Sequence, residues 1–302
     1  PLFYIGLLYL YVVMKNNIPT IDICSLSELK EDDILINRLS DYLKQHTNLH
    51  FPHKHSFYHL IFFTKGSGFH SIDFDRFNIQ KNHIYFMIPG QVHTWEFKGE
   101  LEGYVVNFSD AFFKSFLLRS DYIESFSFFS GIASACVLNL SKDQGQEVQG
   151  TFEELIIQSA TSHMHRWDMI RVLLLKIFIT LEQKNNEDVL IGVSSYNVAL
   201  LKNFRKLIEK NYKKLRLPME YADLLYITPN HLNALCKDQL GIAAGEIIRN
   251  RIILEAKRML INQQISISEI AYELNFKDNS YFSKFFKKQV GIVPEEFRKK
   301  TH

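Results

Sequence analysis

Apolar residues along the 302-residue chain recur with two different periods, and the change between them divides the sequence. From Leu49 to Phe108 they fall in short runs bounded by turn residues: Tyr58–Thr64, Gly68–Phe74, Phe77–Ile79, Ile84–Ile88, Thr94–Phe97 and Glu102–Phe108. Runs of this length, rich in Phe, Tyr, Ile and Val, are β-strands. Lys65-Gly66-Ser67-Gly68 and Pro89-Gly90 are expected to turn the chain between them. Strands this short and this closely spaced predict a small sandwich or barrel. Ahead of them, Ile21–Tyr42 predicts a short strand or arm followed by a polar helix. Beyond them the period lengthens to that of helices at Ser109–Leu118, Gly145–Thr161 and Trp167–Glu182, with one further strand at Val137–Leu140. Trp167–Glu182 is apolar on almost every side, which predicts burial on more than one face. One face packs on its own domain; the other is either internal or a dimer contact. Gln183–Asn197 turns polar, then small, and predicts a linker.

The remainder, Val198–His302, is helical throughout. An amphipathic helix opens it, with Leu201, Phe204, Leu207 and Ile208 inside and Lys202, Lys206, Lys210 and Lys213 outside. Near the end, Ser266 and Glu269 stand three apart before an apolar run, the signature of a capping box. Ile267, Ile270, Ala271 and Leu274 then recur at helical spacing. Asn275-Phe276-Lys277 leaves room only for a tight turn before Asp278 caps a second helix. That helix carries Phe282, Phe285 and Phe286 on its apolar stripe, ends at Gly291, and cannot continue through Pro294. Two short helices joined this way form a helix-turn-helix, whose second helix enters the DNA major groove. Its exposed strip, Asn279, Ser280, Ser283 and Lys284, holds side chains that read base edges or hold phosphates.

The pattern occurs twice. Ala222-Asp-Leu-Leu225-Tyr-Ile227 aligns with Ala271-Tyr-Glu-Leu274-Asn-Phe276. After one extra residue in the second turn, Leu232, Leu235, Lys237 and Gln239-Leu-Gly241-Ile242 align with Phe282, Phe285, Lys287 and Gln289-Val-Gly291-Ile292. Thr228-Pro229 supplies the first copy's N-cap and N1 proline. Asn230, Asn233 and Ala234 match Ser280, Ser283 and Lys284. A repeated turn, stripe and terminating Gly-Ile is far harder to obtain by accident than one lysine-bearing helix.

Charge sharpens the division. Val198–His302 holds 19 Lys and Arg against 11 Asp and Glu, a net of +8, whereas the rest of the chain has a net of −6. A basic region with this pattern is the footprint of phosphate-backbone binding. An apolar content of 46% excludes wholesale disorder. Cys24, Cys136 and Cys236 are far apart and odd in number, form no disulfide framework, and fit a reducing cytoplasm. Pro1–Val13 is apolar but too short to span a bilayer and lacks the marks of a signal peptide. Met14 reads as the natural start, which makes residues 1–13 a non-native upstream extension.

These C-terminal residues resemble the DNA-binding domain of the AraC/XylS family of bacterial transcription factors. Ile270-Ala271, Leu274-x-Phe276, Asp278-x-Ser280-Tyr281-Phe282-Ser283, Phe286-Lys287-Lys288, Gly291 and Pro294 fall in that family's order and spacing. Glu246–Ile261 resembles the long helix that joins its two units. Ala234, Cys236, Ala244 and Ile252 depart from it, standing where a long polar residue, an aromatic, a proline and an arginine are usual. The first unit is thereby expected to read DNA weakly, or by fit. Upstream, His53-Lys54-His55, His59, Gly66 and Pro89-Gly90-x-x-His93 resemble the two motifs of the cupin barrel, which many relatives carry ahead of this DNA-binding domain.

The resemblance implies an α+β chain: a cupin-like effector-binding and dimerisation domain at 14–182, a linker at 183–197, and an all-α double helix-turn-helix domain at 198–302. It implies a cytoplasmic, dimeric, non-enzymatic regulator, an activator, with promoter DNA, a small-molecule effector and RNA polymerase as partners and no cofactor. Base-reading residues would be Asn230, Asn233, Asn279, Ser280, Ser283 and Lys284. Phosphate contacts would come from Thr228, Lys237, Ser266, Lys287 and Lys288. His53, His55, His59, Phe62, His93 and Trp95 would line the effector pocket, with no metal. The alternative is a metal-dependent cupin enzyme with an appended nucleic-acid-binding domain, in which His53, His55, His59 and His93 hold the ion.

Overall fold

A computed structural model describes residues 19–23, 26, 33–46, 51–114, 116–119, 122–187, 195–261 and 264–300. The expected extension at 1–13, and Cys24, lie outside these residues. The chain divides into two compact units that meet in sequence at positions 191 and 192. No helix among the described residues is long and apolar enough to cross a membrane.

In the N-terminal unit the strands are β1 Thr20–Ile21, β2 Ile34–Arg38, β3 His53–His55, β4 Tyr58–Ile72, β5 Asp75–Asn78, β6 His83–Met87, β7 Val92–Phe108 and β8 Val137–Asn139. They form one sheet in the order β1-β3-β7-β4-β6-β8, with β2 on β7 and β5 on β4. Four of the expected strands are halves of two long ones. Lys65–Gly68 is not a turn but a stretch of irregular pairing inside β4, where the register against β7 shifts between Phe63, Lys65 and Ser67. Such irregularities bend a strand without ending it. Glycine is required there: at Gly68, with φ +128°, a Cβ would lie 2.2 Å from the Glu96 carbonyl oxygen. The bend folds the sheet over on itself, so that His59 from one half of β4 and His70 from the other both lie against His93. The Pro89-Gly90 turn stands where the sequence places it. The short strand and helix expected within Ile21–Tyr42 are present as β2 and the helix Leu39–Gln45, and Ile34–Arg38 of β2 pairs antiparallel with Tyr104–Phe108.

Alternation along β4 separates two cores. Tyr58, Leu60 and Phe62 face outward into a cluster with Phe86, Tyr104, Val106 and Phe108, while Ile61 and Phe63 join Ile72, Tyr85, Met87, Trp95 and Val105 inside the fold. Helices α1 Leu39–Gln45, α2 Asp110–Lys114, α3 Lys142–Ser159 and α4 Arg166–Glu187 complete the unit. Helix α2 is shorter than Ser109–Leu118 predicts, although the Ser109 hydroxyl does accept the Phe112 N–H at 3.3 Å. Helix α3 starts on a complete capping box between Ser141 and Gln144. Phe178 of α4 explains the abundance of phenylalanine: the rings of Phe86, Phe108, Phe113, Phe126, Phe128 and Phe129 lie within 6.3 Å of it. Burying each such ring contributes about 1.5–3 kcal/mol. Helix α4 buries Ile170, Leu173, Leu174, Ile177, Phe178 and Leu181 and leaves Met169, Val172 and Ile179 exposed.

In the C-terminal unit the helices are α5 Ser195–Asn211, α6 Pro218–Leu224, α7 Pro229–Leu240, α8 Ala244–Ile261, α9 Ile267–Glu273, α10 Asn279–Val290 and α11 Pro294–Lys300. Both ends of the expected linker Gln183–Asn197 are thus helical, the first to Glu187 and the second from Ser195. Pro294 ends nothing further; it opens α11, at the first helical position where its missing N–H is harmless. Ile248, Ile252, Ala256 and Leu260 of α8 are buried between the two halves of the core, which gather Phe204, Tyr221, Leu232 and Cys236 from the first and Ile270, Phe276, Phe282, Phe286 and Phe297 from the second. Arginines brace this arrangement. Arg251 pairs with Glu209 at 2.8 Å and Glu255 at 3.0 Å and lies 4.0 Å over Tyr212. Arg216 donates to the Leu274 carbonyl and lies 3.7 Å over Phe276. Arg298 donates to the carbonyls of Leu260 and Ile265.

Candidate functional site: a paired DNA reader and a histidine-lined chamber

The two helix-turn-helix units share the plan of their joints, with one extra residue, Lys277, in the second. Between α6 and α7 the chain passes through Tyr226 at φ 56°, and between α9 and α10 through Asn275 at φ 58°. In each, the following residue donates back into the first helix, Ile227 to the Ala222 carbonyl at 3.0 Å and Phe276 to the Ala271 carbonyl at 2.8 Å. Thr228 then caps α7 by accepting the His231 N–H at 3.2 Å, and Asp278 caps α10 by accepting the Tyr281 N–H at 2.7 Å. Both second helices end on a left-handed glycine, Gly241 at φ 73° and Gly291 at φ 89°. Leu232 and Phe282 are fully buried beneath them, as are Cys236 and Phe286.

The outward strips differ. On α10, Asn279, Ser280 and Lys284 are exposed and Ser283 is half-buried, its hydroxyl 3.4 Å from Asn279 Oδ1. Lys287 and Lys288 extend the positive charge one turn on, also exposed. On α7, Asn230, Ala234 and Lys237 are exposed, but Asn233 is half-buried and its Oδ1 accepts the Ala244 N–H at 3.1 Å. That side chain caps α8. Ser266 and Thr228 are exposed, with their hydroxyl oxygens accepting the N–H of Glu269 and His231 while their own protons remain available to an acceptor.

Inside the N-terminal unit, β3, β4 and β7 bring five imidazoles together: His53, His55, His59, His70 and His93, all at most 3% exposed. His55 Nε2 stands 3.4 Å from His93 Nε2, and His93 Nδ1 stands 3.1 Å from His70 Nε2. His53 Nδ1 lies 2.7 Å from the Phe51 carbonyl, and His59 Nδ1 lies 2.5 Å from Asn107 Oδ1. Trp95 packs edge-on at 5.2 Å from His93. Burial holds every one of these rings below the usual histidine pKa; for His59 it outweighs the Asn107 hydrogen bond and pushes the value to about 3. For His55, His70 and His93 the neighbouring imidazoles add to the effect. The rings are therefore neutral at physiological pH, with lone pairs to offer. A separate outer groove of about 580 Å³ is lined by Arg38, Tyr104 and Glu153 among others, and these three already satisfy one another.

Two family profiles match the chain, one described as an AraC-like ligand binding domain over residues 41–175 and one as a helix-turn-helix domain over residues 221–300. The chain is an AraC-family transcriptional regulator. Its HTH domain binds DNA, and its N-terminal domain is the family's ligand-binding domain. It is similar to the HTH-type transcriptional regulator YfiF of Bacillus subtilis (strain 168), at 24% identity over 82% of this chain and 78% of that protein. It is similar to the HTH-type transcriptional activator RhaR of Enterobacter sp. (strain 638), at 20% over 84% and 89%. The transcriptional regulatory protein YesN of Bacillus subtilis (strain 168) is 36% identical, over 34% of this chain and only 29% of its own length. Among solved structures, ToxT of Vibrio cholerae strain SCE256 with unsaturated fatty acid bound aligns over 89% of this chain and 97% of its own, at 14% identity and a TM-score of 0.41.

For this AraC-family regulator, the structure brings His53, His55, His59, His93 and Trp95 into one buried cluster and excludes Phe62. Phe62 is on the opposite face of β4, stacked on Tyr104 and Phe152 in the outer core, because its position alternates with those of His59 and Ile61. His70 and Asn107 are the chamber residues that the sequence pattern passed over. His70 is eleven residues beyond His59, an odd separation that an uninterrupted strand would place on the other face. The irregular pairing near Lys65 shifts the phase and brings it inside.

Proposed function

We propose that this regulator is an activator that reads promoter DNA with α7 and α10 and responds to a small molecule held at the histidine cluster of the N-terminal unit. The observation that carries the reading is the doubled joint: two second helices, each presented by the same left-handed turn, N-cap and glycine stop. Helix α8, cross-braced by Arg251, fixes the spacing of the pair, and the two helices enter successive major-groove segments, which lie roughly 34 Å apart. Lys284 contacts a base edge, supported by Asn279, Ser280 and Ser283, with Asn230 the corresponding reader in the first unit. Lys237, Lys287, Lys288, Thr228 and Ser266 hold phosphates. The exposed apolar stripe of Met169, Val172 and Ile179 on α4 supports a homodimer contact there. An activating output follows the named role of RhaR, and RNA polymerase is the partner that such an output requires. The effector acts by binding two arrangements of the chain with different affinity.

Residues 195–302 contain a complete core, so the test uses them alone in a selection from random-sequence duplexes. Enrichment of two half-sites one helical turn apart is expected. A folded fragment that binds every duplex equally at moderate salt removes sequence reading from this unit.

A further inference from the structure

Three of the five chamber rings are anchored through one nitrogen and bare at the other. The Phe51 carbonyl accepts from His53 Nδ1–H, which leaves the Nε2 lone pair without a partner in a fully buried site. Asn107 Oδ1 accepts from His59 Nδ1–H, and His59 Nε2 is likewise buried and bare. His93 shares its Nδ1 with His70 Nε2 at 3.1 Å and places its Nε2 3.4 Å from His55 Nε2. Asn107 is itself held by donating to the Tyr42 hydroxyl at 3.4 Å. A ring nitrogen buried without a partner is costly, and His53 Nε2, His59 Nε2 and His70 Nδ1 are all in that position. Anchoring one ring nitrogen on an acceptor while the other points at a common centre is the arrangement that surrounds a histidine-bound metal.

We propose that the chamber binds one divalent transition-metal ion of the zinc class through His53, His55 and His93. One nitrogen from each of these three buried rings lies within 4.8 Å of the others. His55 Nε2 and His93 Nε2, 3.4 Å apart, already have the separation of two imidazoles on one tetrahedral ion with bonds of about 2.1 Å. An all-imidazole set with no carboxylate among its members suits zinc, copper or nickel above magnesium or calcium. Three ligands leave a fourth tetrahedral position. His59, whose ring centre is 4.8 Å from that of His55, is an adjacent imidazole with a bare Nε2. Phe51, His70 and Asn107 are positioning groups that fix the rings. The site shares the chamber with the effector reading but does not depend on it, because a bound ion needs no organic ligand.

The test uses the full-length, untagged chain, stripped with a chelator. Zn²⁺ is titrated against a chromophoric competitor, and Co²⁺ is followed by its visible absorption. One ion per chain is expected, with the intense bands of a four-coordinate cobalt site. His93→Gln should weaken binding more than about 100-fold, and Asn107→Ala or His70→Asn by roughly 10- to 100-fold, the usual worth of an outer partner. His163→Gln, at an exposed position, should leave it unchanged. A wild-type chain that takes up no ion overturns the proposal, and so does uptake that survives the His55→Gln, His93→Gln double variant. Because the wild-type stoichiometry is read directly, a variant that fails to fold does not blunt the test. Failure of metal binding alongside a melting shift with an organic effector would sink this inference and leave the effector reading standing.

Discussion

The two helix-turn-helix units of the C-terminal half are alike wherever the backbone must be held and unlike wherever a side chain faces outward. Tyr226 and Asn275, Thr228 and Asp278, Gly241 and Gly291 do the same work at corresponding positions. Each satisfies a demand of the chain itself: a left-handed residue between helices, an acceptor for orphan N–H groups, a residue without Cβ at the stop. Outward, the second unit presents Ser280, Ser283 and Lys284, and the first presents Asn230, an Asn233 already engaged on α8, and Ala234. The difference teaches where specificity is free to vary. The scaffold fixes how a helix is presented, and the strip it presents can change without loss of the fold.

The largest expected break in this comparison is in the core. Phe286 and Cys236 occupy matching, fully buried positions. Phe286→Ala should destabilise the C-terminal unit by about 3–5 kcal/mol in urea denaturation, whereas Cys236→Ala should cost only about 1 kcal/mol, because the first unit is already built around a small side chain. Equal losses would mean that the two halves do not divide the core as described.

Next comes DNA reading. Lys284→Ala should weaken binding to the selected duplex by roughly 1–3 kcal/mol and relax discrimination at one base position, and Asn230→Ala should do less. A uniform loss across all duplexes for Lys284→Ala would make it a phosphate contact.

Asn233→Ala should behave differently from both, lowering stability by about 1 kcal/mol through the lost cap on Ala244. A change in base preference with unaltered stability would return Asn233 to the readers. The smallest effect concerns the turns. Tyr226→Gly should stabilise the unit by roughly 0.5–1 kcal/mol, since a left-handed tyrosine is strained, while Asn275→Gly should be near neutral. The same thermal or urea measurement checks both.

The doubled unit was legible in the sequence because its determinants are local. Ser266 with Glu269, Thr228 before Pro229, and the Gly-Ile stops are readable from spacing alone. The N-terminal unit was harder for a physical reason. Tyr58–Phe63 is buried on both faces, so apart from His59 no polar residue marks the phase of the strand, and the pattern puts Phe62 on the wrong side. Gly66 and Gly68 carry the marks of a turn but serve a bend inside one continuous strand. His70 was missed because that bend changes its parity, a long-range property of the β4–β7 pairing. The pattern passes over helix α11 because a proline that cannot continue one helix is also a favoured first residue of the next.

The most direct test of the account is a selection of duplexes by residues 195–302 carrying either the native strips or the α10 strip transplanted to α7 (Asn230→Ser, Asn233→Ser, Ala234→Lys). The account predicts that the transplanted fragment folds, with some loss from the missing Asn233 cap, and that its first half-site changes to match its second. A transplanted fragment that keeps the native half-site preference would contradict the claim that these strips do the reading.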